Sequence, residues 1–221
     1  MARIGYGAEI VEIIKAIPQE DPIRTEDVAR QLAKRFAIPR DKAKAVTNVK
    51  LKRLADQGEL KRLQKGLYCH MQQTVFGCVA PDIDHIMIKK LTVQDGVRIG
   101  YESGAALLNR MGLSTLIPRK VEVTTNLYNS KLPDGCHIRL KKPAAAITNR
   151  NWRYLQLIDA VERLPDAHVD ADPFWVLLAA FIKNEALDPL TLIFTARRYY
   201  PQKTVLTLTD LLMEAHDGPA S

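Results

Sequence analysis

The stretch that decides the fold reads KAKAVTNVKLKRLADQG over Lys42–Gly58 and continues as ELKRLQKGLYCHM over Glu59–Met71. At about 100° per residue, Ala43, Val46, Thr47, Leu51 and Leu54 fall on one face of a helix running from about Arg40 to Gln57. Asp41, Ala45, Asn48, Lys52 and Asp56 lie opposite, with Lys42 and Lys44 on the flanks. Gly58 stands where a left-handed residue caps the end of a helix. The second half predicts a hairpin of two short strands, Glu59–Leu63 and Leu67–Met71, turning through Gln64-Lys65-Gly66.

Upstream, Ile10, Ile13, Ile14 and Ile17 recur at three- and four-residue spacing and predict a helix over Ala8–Ile17, ended by Pro18. Thr25 is placed as the N-cap of the next helix, with Glu26 and Asp27 facing the positive end of its dipole. That helix puts Val28, Leu32 and Phe36 on one side, and Pro39 suits the first turn of the helix after it. Three helices followed by a hairpin is the order of a winged helix-turn-helix.

Charge marks the same region. Between Arg30 and Gly66 there are 12 Lys/Arg against three acids, a local charge of +9 in a chain whose total is +7. Basic charge gathered on a helix and its adjoining hairpin is the footprint of a polyanion-binding surface, and double-stranded DNA is the expected partner. Base contacts are expected from Lys44, Thr47, Asn48 and Lys52, since Asn pairs with adenine edges and Lys reaches guanine acceptors. Phosphate contacts are expected from Arg40, Lys42, Arg53, Lys61, Arg62 and Lys65, with Lys65 at the hairpin tip. A small helical domain with a solvated basic face is the competing reading.

After about residue 72 the bias disappears, with 17 Lys/Arg and 16 Asp/Glu over residues 73–221. A helix is expected over Glu102–Met111 with a stop at Gly112, and strands near Lys120–Thr125 and Cys136–Lys141. Helices are expected over Trp152–Leu164, Phe174–Asn184, Leu190–Tyr199 and Thr204–Ala215. Trp152, Tyr154, Phe174, Trp175, Phe181, Tyr199 and Tyr200 read as core, with a protein-binding surface as the other assignment. The fold class expected is α+β: an N-terminal winged helix-turn-helix over 1–75, then a mixed α/β domain with a helical C-terminal tail over 76–221.

Several function classes are disfavoured. The longest apolar run, Phe174–Ile182, is well short of the roughly 20 residues that span a bilayer, and the N-terminus lacks the form of a signal peptide. Cys69, Cys78 and Cys136 have no CxxC spacing, so reduced thiols in a cytoplasmic protein are expected, with no metal and no cofactor. No Walker loop, HExxH or GxSxG occurs, so no catalytic residue is assigned. Asp82, Asp84 and Asp134 leave a metal-dependent nuclease as a minor alternative.

Two segments in order, LKRLADQGELKRLQKGLY (Leu51–Tyr68) and GYESGAALLNRMGLSTLIPRKVEVTTN (Gly100–Asn126), resemble the AbiEi-type antitoxins of abortive-infection, or type IV toxin–antitoxin, systems of bacteria. The positions carrying the first motif are Arg53, Leu54, Gly58, Leu60, Arg62, Gly66 and Tyr68. Those of the second are Ala105, Leu108, Gly112, Leu113, Val121, Val123, Thr124, Thr125 and Asn126. The resemblance implies a repressor that binds operator repeats upstream of its own operon. It also implies a second domain that counters a nucleotidyltransferase-like toxin encoded by the adjacent gene. Self-association on DNA is a further expected contact. A second domain that senses a ligand or dimerises the chain is the alternative.

Overall fold

Ile10, Ile13 and Ile14 form the buried stripe of the first helix, α1 (Tyr6–Lys15). The computed structural model describes residues 5–75, 77–79, 81–166 and 174–217; the side chains of 73, 74, 78 and 215–217 lie outside the described set. The fold is mixed α+β, and the chain divides into two compact units: Met1–Lys90 with Pro133–Cys136, and Leu91–Leu132 with His137–Ser221.

In the first unit α1 is followed by β1 (Ile23–Arg24), α2 (Thr25–Phe36), α3 (Arg40–Asp56), β2 (Leu60–Gln64) and β3 (Leu67–His70). Strands β2 and β3 form an antiparallel hairpin, and β1 pairs antiparallel on the other edge of β3, in the order β1-β3-β2. Their shared core holds Ile10, Ile13, Ile14, Ile23, Val28, Leu32, Ala43, Leu51, Leu54, Leu60 and Tyr68. Helix α3 ends as its sequence dictates. Gly58 takes φ +76°, Glu59 N–H donates to Leu54 O at 2.9 Å, and Gly58 N–H donates to Ala55 O at 3.1 Å. Those two bonds satisfy carbonyls the helix would otherwise leave open. Gly66, also at φ +76°, turns the hairpin at a position that favours glycine.

Three local expectations are corrected. Helix α1 runs Tyr6–Lys15 rather than Ala8–Ile17, although Ile17 still packs on the core. Pro39 occupies the N-cap of α3 and not its first turn. Thr25 is not a cap: it is the first residue of α2, Arg24 precedes it, and no side-chain cap bond forms. The reason is the short strand β1. Its pairing to β3 carries on into Thr25, whose N–H donates to Gly66 O at 3.0 Å. The Thr25 hydroxyl is then buried with no hydrogen-bond partner among the described residues.

Past the hairpin come β4 (Gln72–Thr74), β5 (Gly77–Val79) and α4 (Ile83–Thr92), with β4 and β5 antiparallel. Lys89 of α4 bridges Glu20 (3.3 Å) and Asp21 (3.0 Å), which pins the turn after α1. In the second unit β6 (Val93–Gln94) and β7 (Val97–Arg98) turn through Asp95 and Gly96, both at positive φ, as a two-residue hairpin requires. Strand β8 (Gly100–Ser103), α5 (Gly104–Arg110), β9 (Val121–Thr125) and β10 (Ile138–Lys141) follow. Strand β9 is central, antiparallel to β8 and parallel to β10. The helix expected from Glu102 therefore starts at Gly104, whose φ of +66° breaks strand from helix. Helices α6 (Trp152–Arg163), α7 (Phe174–Asn184), α8 (Pro189–Tyr199) and α9 (Gln202–Asp217) close the unit, with one 3₁₀ turn at Leu164–Asp166. Their core includes Leu107, Leu108, Leu157, Ile158, Val161, Leu192 and Leu208. Among the described residues no helix is long and apolar enough to cross a membrane.

Gly100 has a steric reason to be glycine. A Cβ built there would stand 2.3 Å from Leu91 O and 2.9 Å from both Thr124 O and Thr125 Cβ. Because two of those neighbours are backbone, Gly100→Ala forces strand β8 to shift. We expect a stability loss of about 1–3 kcal/mol, read as a lower midpoint in urea unfolding.

Candidate nucleic-acid interface

The buried stripe of α3 is Ala43, Thr47, Leu51 and Leu54, with Val46 and Ala55 half-buried at its edges, and the opposite side is exposed. Lys44, Asn48 and Lys52, each four residues apart and all exposed, form a polar row along one side, because i and i+4 side chains are neighbours on a helix. Ala45 and Val49 form the adjacent row, and Val49 is 52% exposed. On the far flank Val46, Lys50 and Arg53 join them and Gly7 of α1 around a groove of about 420 Å³.

Nine of the ten expected contact residues are exposed: Lys44, Asn48, Lys52, Arg40, Lys42, Arg53, Lys61, Arg62 and Lys65. The tenth, Thr47, is corrected. It is fully buried, since it shares the stripe with Ala43, Leu51 and Leu54, and no base edge can reach it. The exposure of Val49 on this face was not anticipated from the sequence. The signal was its angular position on the outward face, which polarity alone obscured.

Lys44 forms an ion pair with Glu26 of α2, an exposed pair that a phosphate or base could exchange for itself at little cost. Among the described residues, Arg40, Lys42, Lys52, Arg53, Lys61, Arg62 and Lys65 pair with no acid. Lys42 instead stands 5.9 Å from the centre of the Tyr6 ring. Arg40 and Lys42 sit in the first turn of α3, where the positive end of the helix dipole disfavours cations. The helix dipole therefore does not favour charge of that sign there.

Behind the hairpin, Cys69 is fully buried, with its Sγ 3.7 Å from Lys61 O. Burial pushes its thiol from an ordinary 9.0 up to about 11, with the Lys61 charge opposing weakly. We expect Cys69 to resist iodoacetamide at pH 8 in the folded protein and to react once urea unfolds it. The raised value also fixes a sign. The unfolded thiol ionises first, so its contribution to stability holds below about pH 9 and is lost as pH rises toward 11.

The interface residues fall within a recognised segment. Residues 38–144 match the model of DUF6088, a family of unknown function. The DUF6088 match opens just before α3, takes in the β2–β3 hairpin and the β8–β10 sheet, and ends before the C-terminal helices. No curated protein matches the chain.

The acids of the nuclease alternative are dispersed in role. Asp82 Oδ1 accepts the Asp84 N–H at 2.9 Å at the start of α4, a helix-capping arrangement. Asp134 lies exposed in a turn. Among the described residues no three His, Cys, Asp or Glu side chains gather as a metal-binding set. Among the described residues neither Cys69 nor Cys136 forms a disulfide, and the side chain of Cys78 lies outside the described residues.

Proposed function

We propose that this chain is a DNA-binding transcriptional repressor of winged helix-turn-helix type. In this reading α3 enters the major groove and the β2–β3 hairpin is the wing. The observation that carries it is the exposed cationic surface of α3 and the hairpin, whose Arg40, Lys42, Lys52, Arg53, Lys61, Arg62 and Lys65 have no acid partner among the described residues. The order α1-β1-α2-α3-β2-β3, with β1 paired on β3, supports the same reading. Gel shift on the DNA immediately upstream of its own gene tests it: retardation that weakens with salt is the expected result. No retardation at low salt removes the proposal.

The second half of the proposal is that the chain acts as the antitoxin of the adjacent gene's product and represses its own operon. Its support is the resemblance of Leu51–Tyr68 and Gly100–Asn126 to AbiEi-type antitoxins. Leu190 and Phe194 of α8, with Leu206 and Met213 of α9, are 56–66% exposed; large apolar side chains in water suit contact with a protein. Expressing the neighbouring gene with and without this chain decides the matter. A neighbour that is harmless alone eliminates the antitoxin role and leaves the DNA-binding role standing.

A further inference from the structure

Helix α3 carries an exposed apolar pair, Ala45 and Val49, flanked by polar and cationic residues. Val49 is 52% exposed. It lies four residues from exposed Ala45, so the two side chains are neighbours on the helix surface. A β-branched residue restricts its own rotamers in a helix, and at an exposed position Val49 gains little packing in return. Asn48 and Lys52 stand on one side of the row, Lys50 and Arg53 on the other.

The occupant follows from chemistry. The flanking cations, Lys50, Lys52 and Arg53, fit the paired phosphate walls of a duplex groove. On the groove floor the one apolar group that base edges offer is the C5-methyl of thymine. Asn48, next in sequence to Val49, has the donor and acceptor that match the N6 and N7 of adenine, thymine's partner.

We propose that Val49, with Ala45 beside it, packs on a thymine methyl in the major groove, and that Asn48 reads adenine in the same A·T-rich step. The site is thereby selective for A·T pairs through a methyl contact as well as a hydrogen bond. This inference rests on the DNA-binding reading above.

The test begins by selecting bound sequences from a random duplex library with the full chain. Each thymine of the selected site is then replaced singly by deoxyuridine, which lacks only the methyl. The wild-type chain is expected to lose about three- to fivefold in affinity at one or two of these positions, the value of one buried methyl. Val49→Ala, checked for unchanged thermal unfolding, is expected to bind the thymine and uracil duplexes alike at those positions. Wild-type indifference to every uracil overturns the inference while leaving DNA binding intact. Retained uracil sensitivity in Val49→Ala overturns the assignment to Val49. A library from which nothing is selected instead removes the DNA-binding reading and this inference with it.

Discussion

Asp159→Ala is expected to destabilise the second unit by roughly 3–5 kcal/mol, the range seen when one partner of a buried ionic network is removed. The carboxylate of Asp159 is buried and gathers four groups, three from strands and one from the residue after α8. Tyr101 Oη of β8 donates to it at 3.0 Å, Thr124 Oγ1 of β9 at 3.2 Å, and Tyr200 Oη, just past α8, at 2.9 Å. Lys141 Nζ of β10 lies 3.6 Å away. Alanine leaves three hydroxyls in a dry interior without that acceptor, each costing about 1–3 kcal/mol if unsatisfied. Burial, with the Asp159 charge adding to it, raises both tyrosine pKa values, so the phenols stay protonated as donors. Asp159→Asn keeps one acceptor oxygen and is expected to lose less. Urea unfolding of the two variants reads the difference, and equal stability of wild type and Asp159→Ala would show that the network contributes nothing.

The hairpin triple variant Lys61→Ala, Arg62→Ala, Lys65→Ala carries the second large effect. If each of the three side chains meets one phosphate, the slope of log affinity against log salt falls by about 2.7 for the three. The loss is expected on every duplex sequence, because phosphate contacts position the protein and do not read bases. Asn48→Ala should behave in the opposite way, relaxing the preference for adenine while keeping the slope. Fluorescence anisotropy over a salt series separates the two outcomes.

Helix α3 and the hairpin were legible because their signals are local. The apolar stripe Ala43–Leu54, the stop at Gly58 and the turn at Gly66 each arise within a few residues of the feature they determine. The C-terminal helices from Trp152 onward were legible by the same periodicity. What escaped depends on distant partners. The strand β1 is two residues long, and Ile23-Arg24 has no pattern until β3 is beside it; the misplaced cap at Thr25 follows from that. The start of α5 moved because Glu102 and Ser103 pair with β9, which helix periodicity does not report. The Asp159 network needs β9 and β10 in parallel register and α6 and α8 close by, and no spacing in the sequence announces it.

The Thr-Thr-Asn run at the end of β9 gains a physical meaning from the same long-range contacts. Thr125 Oγ1 donates to Leu91 O at 2.7 Å. The side-chain amide of Asn126 clasps Ile147, its Nδ2 donating to Ile147 O at 3.0 Å and its Oδ1 accepting the Ile147 N–H at 2.9 Å. These residues hold the unit together. In the contact surface the gap is narrower: nine of ten expected side chains are exposed, and the misplaced one, Thr47, sat at the border of the buried stripe.

The most direct test of the central claim is the affinity of the wild-type chain for duplex DNA between about 50 and 200 mM salt. With six phosphate contacts the account predicts a slope of about −5 in log affinity against log salt, which weakens binding about a thousandfold over that range. Absence of binding at the low end, or binding that salt leaves unchanged, would contradict it.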